Sequence, residues 1–235
     1  FYLRRSALSH KNYGNIATSI SLFKKALSRD TGNAYYLYQL GDLYDVGGKP
    51  DSSLIFFKRA HRINPENSEI LNRISILYMD GPGLDSAYFY SGKALETSPG
   101  NPATAYARAM ILIKDSRYAD AIDMARQGLS SDSSYFLLNL PLGLAHFYRH
   151  NYERAVVSFR KGYQEHADKN IFADYLVSAM LFNNTPPDLY RRKSETSIRF
   201  LERFLTGSED PSYIQKGTYS RLLSIFNDNT FSLGI

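Results

Sequence analysis

Pro65 and Pro99 stand 34 positions apart, and so do Asn67 and Asn101. The same punctuation at one fixed interval marks a repeated structural unit, and a period of that length constrains the fold more than any composition does. Written in rows of 34, with the second row starting at Ala34, the chain falls into columns. One holds Thr31, Pro65, Pro99, Ser133 and Ala167, all small or helix-stopping. Three more hold only small residues: Ala26, Ala60, Ala94, Gly128 and Gly162; Ser19, Ser53, Ala87, Ala121 and Ala155; Ala7, Gly41, Ser75, Ala109 and Gly143. Large residues also keep their columns, as Phe23, Phe57 and Phe159 do, with Ser91 and Ala125 completing that set.

Within a row the apolar spacing is helical. Leu37, Leu40, Gly41 and Tyr44 form one stripe, and Leu54, Phe57, Ala60 and His61 form a second. Gly47 and Gly48 end the first helix, and Pro50 suits the start of the next. Each row is therefore a helical hairpin. Its small columns let two helices approach to about 8 Å. Gly41 is expected to face Ser53 inside its hairpin, and Ala60 to face the next row. Pro141 lies inside the expected first helix of row five, where it would clash with the carbonyl of Leu137. That helix either kinks or starts late, near Asn139 as its cap; the late start is preferred.

Row two, LYQLGDLYDVGGKPDSSLIFFKRAHRINP, resembles a tetratricopeptide repeat (TPR) motif. The match lies in Leu40, Gly41 and Tyr44, in Phe57 and Ala60, and in the closing Pro65. The other rows match more loosely, in uninterrupted register to about residue 169. The resemblance implies an all-α, right-handed superhelical solenoid of antiparallel hairpins, at 1–33, 34–67, 68–101, 102–135 and 136–169. After 169 the register slips. Residues 170–235 read as a degenerate sixth hairpin, with Leu176 and Met180 in its first helix and an eight-residue insertion before Ser197. A capping helix follows from Tyr213 to about Phe226.

Few other functions find residues to stand on. The longest unbroken apolar run, Ala109 to Ile113, is far short of the roughly 20 residues that cross a bilayer. No cysteine means no disulfide and no thiolate metal site. His146 and His150 are spaced to share a metal, but no third ligand is evident and His146 stands in a column with His10, Tyr44, Tyr78 and Leu112, so a packed core histidine is the better reading. Gly47–Gly48–Lys49 lacks the upstream glycine and the Ser or Thr of a phosphate loop. No catalytic constellation, metal site or cofactor site can be argued. A net charge of +5 permits an acidic partner, but Arg191–Arg192–Lys193 is the only three-residue basic run. Neither compartment nor oligomeric state can be read from these residues. A chain opening on Phe1 is expected to be a piece of a longer protein, or one trimmed of a leader.

The function implied by the resemblance is a non-catalytic scaffold for protein–protein interaction. The first helix of each unit would line a concave groove for a partner peptide or amphipathic helix. The candidate groove residues are Tyr35, Tyr38 and Asp42; Asn72 and Ile76; Tyr106, Met110 and Ile113; and Leu140, Leu144 and Phe147. This lining runs from polar and aromatic to apolar. An apolar groove needs a cover, either the chain's own last helices or a partner segment. Some TPR proteins clamp a C-terminal carboxylate with Lys, Asn and Arg. Here those positions read Arg4, Leu8, Gln39, Glu69 and Arg73, and Leu8 and Glu69 do not suit a carboxylate. The alternative function is RNA binding, as in the related 35-residue pentatricopeptide class, from which the 34-residue period departs. A regulatory or assembly segment of a larger enzyme or secretion apparatus is compatible with the scaffold reading.

Overall fold

The computed structural model describes residues 3, 6–8, 15–80, 83–165 and 179, and all regular structure among them is helical. The helices are α1 (Ile16–Leu27), α2 (Ala34–Val46), α3 (Pro50–Ile63), α4 (Ser68–Met79), α5 (Leu84–Thr97), α6 (Pro102–Lys114), α7 (Tyr118–Ser131), α8 (Asn139–Tyr148) and α9 (Tyr152–Glu165). The chain divides into two compact units, Phe1–Ser116 and Arg117–Ile235. In the first, α2 packs on α3 and α4 on α5, while α6 rests on both α4 and α5. In the second, α8 packs on both α7 and α9. The degenerate hairpin and capping helix expected over 170–235 lie outside the described residues, Ala179 apart.

Each start and stop has a local cause. Asn33, Asn67 and Asn101 are spaced at 34, and each side chain accepts a backbone N–H in the first turn of α2, α4 or α6. That satisfies a donor no helix can satisfy itself. Position 135, the next in the series, is Tyr. There the chain makes a 3₁₀ turn over Phe136–Leu138, and α8 starts late, at Asn139. Pro141 thus falls in the first turn of α8, where its missing N–H costs nothing. Asn139 is not the cap; its side chain donates to the Phe136 carbonyl at 2.9 Å. Turns between paired helices repeat as well. Gly48, Ser116 and His150, separated by multiples of 34, all adopt left-handed backbone with φ of 68°, 59° and 58°.

The small columns are closed contacts. Ala87, Ala121 and Ala155 are fully buried, and Gly41 is buried too. Ser53 Oγ donates to the Gly41 carbonyl at 2.8 Å, and one period earlier Ser19 Oγ donates to the Ala7 carbonyl at 2.8 Å. Ala60 sits in one cluster with Ile70 and Ile74 of the following row. In two hairpins a large residue is matched to a glycine. Phe57 lies over Gly41, where a Cβ would meet its ring at 2.8 Å, and Phe159 crowds Gly143 more closely still. Where the Phe column holds Ser91, Arg108 of α6 donates to Ser91 Oγ at 2.8 Å and to the Tyr88 carbonyl at 3.1 Å.

Candidate interaction face

The first helices of the first unit are tied to one another by side chains. Tyr38 of α2 donates its hydroxyl to Glu69 Oε1 of α4 at 2.6 Å, and Arg73 of α4 pairs with Asp42 of α2 at 2.9 Å. Arg73 Nε also reaches the Tyr38 oxygen, at 3.4 Å. One helix further, Asn72 Nδ2 of α4 donates to Thr104 Oγ1 of α6 at 2.9 Å. Asn72 Oδ1 is buried with no hydrogen-bond partner among the described residues. Spacing at i, i+4 puts Tyr38 and Asp42 on one face of α2, and Glu69 and Arg73 on one face of α4.

The electrostatics follow from this lattice. Burial pushes the Tyr38 hydroxyl up to about 12, and its bond to Glu69 adds to the rise. Asp45 is raised by burial and by the neighbouring carboxylates of Asp42 and Asp80, against the pull of Arg73. Arg73 is held in its charged form by Tyr38, Asp42 and Asp45, which outweigh the opposing effect of burial. Its guanidinium is already engaged, so it is not poised to clamp a carboxylate.

Of the residues expected to line a groove, Tyr35, Tyr38, Ile76, Tyr106, Met110 and Ile113 are half-buried in the first unit. Asp42 and Asn72 are buried there, at 8% and 6% exposure. Ile76 and Met110 pack against Met79 and Ile111, so they belong partly to the core. Leu140, Leu144 and Phe147 of α8 are buried within the second unit, where Phe147 meets Tyr152 edge-on.

His146 is a packed histidine. It is buried on α8, and burial, with Arg126, Arg154 and Arg149 adding to the effect, lowers its pKa to about 4. His150 Nδ1 lies 2.8 Å from the Tyr152 hydroxyl. No cluster that could hold a metal occurs among the described residues. The sequence motif announces neither the Arg73 lattice nor the bonds of Arg108 to Ser91 and Tyr88. The i, i+4 pairs and the gap at Ser91 were the available signals.

No protein-family model matches the chain, and no curated protein matches it. Solved structures do. A tetratricopeptide repeat protein from Parabacteroides merdae superposes with a TM-score of 0.71 at 17% identity, over 96% of this chain and 83% of its own. The chain has the tetratricopeptide repeat fold. A thermophilic TPR protein of Thermus thermophilus, TTC0263, matches with a TM-score of 0.66 at 16% identity, over 75% of this chain and 96% of that one. YrrB, a TPR protein with an unusual peptide-binding site, matches with a TM-score of 0.51 at 18% identity, over 71% of this chain and 86% of its own. The architecture is thus an all-α helical solenoid, and no described helix is long and apolar enough to cross a membrane.

Proposed function

We propose that this TPR chain is a non-catalytic scaffold that holds a segment of another protein, an extended peptide or an amphipathic helix, along its first helices. The observation that carries the reading is the side-chain lattice of the first unit. Bonds from Tyr38 to Glu69, Arg73 to Asp42 and Asn72 to Thr104 fix three successive first helices to one another. A wall fixed in advance loses little entropy when a ligand settles on it. Beside the lattice, Tyr35, Tyr106 and Ile113 remain partly open, and aromatic side chains are favoured anchors in protein interfaces. The peptide-binding site of YrrB, on the same fold, supports the same class of function.

The test is selection of peptides from a displayed random library against the intact chain, followed by affinity measurement on variants. Tyr106→Ala/Met110→Ala is expected to weaken the selected peptides at least tenfold while keeping the helical circular dichroism. Because Met110 also packs inward, Tyr106→Ala alone is measured beside it. Equal affinity for wild type and both variants would remove Tyr106 and Met110 from the site. Binding of RNA instead, weakening steeply with salt, would favour the alternative class.

A further inference from the structure

The second helices carry a surface pattern that the groove does not use. Asp51, Ile55 and Arg59 follow one another at intervals of four along α3. One period later Asp85, Phe89 and Lys93 do the same along α5. All six are exposed, Ile55 at 58% and Phe89 at 56%. The equivalent positions of α1 and α7 read Ala17, Ser21 and Lys25, and Ala119, Asp123 and Gln127, so the repeat does not require the pattern; α9 carries it again in the second unit as Glu153, Val157 and Lys161, but among the described residues only α3 and α5 are consecutive second helices that both carry it. Helix-dipole arguments account for an acid in the first turn and a base in the last. They do not account for an open Ile and an open Phe between them.

The two helices are neighbours. His61 of α3 meets Tyr90 of α5 edge-on at 5.8 Å. Lys58 of α3 sits over the Tyr78 ring, which stacks on Tyr90 at 5.7 Å. Equivalent positions therefore line up as three short rows: acids Asp51 and Asp85, apolar Ile55 and Phe89, bases Arg59 and Lys93. The bases already lean on aromatic rings, Arg59 over Phe56 and Lys93 over Phe89. Neither Asp51 nor Asp85 has an ion-pair or hydrogen-bond partner among the described residues.

We infer that this face of α3 and α5 binds the same face of a second copy of the chain. An acid–apolar–base strip is complementary to itself when turned end for end. With a two-fold axis along the apolar row, Ile55 and Phe89 meet their own counterparts. Asp51 and Asp85 then meet Arg59 and Lys93 of the second copy, and the reverse, which is the mutual pairing an isologous interface requires. A membrane surface or a uniformly charged partner would complement one charged row and oppose the other. Two helices of 14 residues, rising 1.5 Å per residue and spaced about 10 Å apart, offer roughly 400 Å² per copy. Standard interfaces bury about 800 Å² per partner. An interface of that size belongs with the small, weak and transient class.

The experiment is sedimentation equilibrium of the intact chain over a wide concentration range. Wild type is expected to show a monomer–dimer equilibrium. Asp51→Lys/Asp85→Lys makes the face all basic, and Arg59→Glu/Lys93→Glu makes it all acidic. Each alone is expected to raise the dissociation constant at least tenfold, and an equimolar mixture of the two to recover dimers. Combining all four substitutions restores the self-complementary strip and the homodimer. If a charge variant loses helicity, Ile55→Ser/Phe89→Ser tests the apolar row and is expected to give the same loss of dimer. A wild type that stays monomeric to ~1 mM, a dimer indifferent to these substitutions, or two charge variants that fail to pair with each other would each overturn the inference. Peptide capture uses other residues, so its failure would be separately visible.

Discussion

Glycine at position 41 answers to the ring of Phe57. A methyl group there would come within 2.8 Å of that ring, closer than packed carbons approach. Gly41→Ala is expected to cost roughly 1–3 kcal/mol, the range for overpacked cores. The penalty should shrink in Gly41→Ala/Phe57→Leu, because the two sites share one contact. Urea unfolding of the four-member cycle measures it, and strict additivity would show that the contact is not the cause. The same reasoning explains Ser91 and Ala125, where the ring and the glycine are given up together. The columns made the closed contacts legible: a small residue recurring at 34 predicted Gly41 against Ser53 before any coordinate. They did not reveal that Ser53 and Ser19 donate to backbone carbonyls, since Ala serves the same columns in later rows. His150 belongs to this scale too. It holds a left-handed turn with φ of 58° in the position that Gly48 fills earlier. His150→Gly removes the strain but gives up the exposed contact with Tyr152, and is expected to stabilise by roughly 0.5 kcal/mol, read from the urea midpoint.

At the scale of elements, the first helices begin where an asparagine lets them. Asn67→Ala leaves a first-turn N–H of α4 without its partner, and the expected loss is about 1 kcal/mol. Asn67→Ser should recover most of it, because a hydroxyl accepts the same bond; thermal melts of both variants check this. Where the series breaks, at Tyr135, the helix starts late and a 3₁₀ turn fills the gap. Pro141 signalled that start from sequence, since proline tolerates only the first turn. The candidate face was less legible. The resemblance named positions on the first helices, but which of them are open depends on neighbours in the next row. Asp42 is consumed by Arg73 and Asn72 by Thr104, and no pattern internal to one helix announces a bond to a residue about 31 positions away.

Across the whole molecule, repetition makes departures informative, and His146 is one. Tyr44 and Tyr78 hold the equivalent positions, each stacked on an aromatic ring and each beneath a lysine, Lys24 or Lys58. In the fifth row the place of the stacking ring is taken by Ser158, and the cation from the preceding row is Arg126. A tyrosine tolerates a cation over its ring, whereas a histidine there must stay neutral. Its folded pKa of about 4 lies below the ordinary 6.5, so the unfolded chain takes up the proton first. The stability that the neutral ring contributes is fully present above pH 6.5 and is lost progressively as pH falls toward 4. At about 1.36 kcal/mol per pKa unit, the loss is up to about 3 kcal/mol. Carboxylates titrate lower in the same range, so the informative quantity is a difference between two proteins. His146→Leu, matching Leu112 in the same column, removes the titrating group and keeps an apolar body. Between pH 7 and 4.5 the melting temperature of the wild type is expected to fall more steeply than that of His146→Leu. Parallel curves would show that the buried imidazole does not govern the acid response.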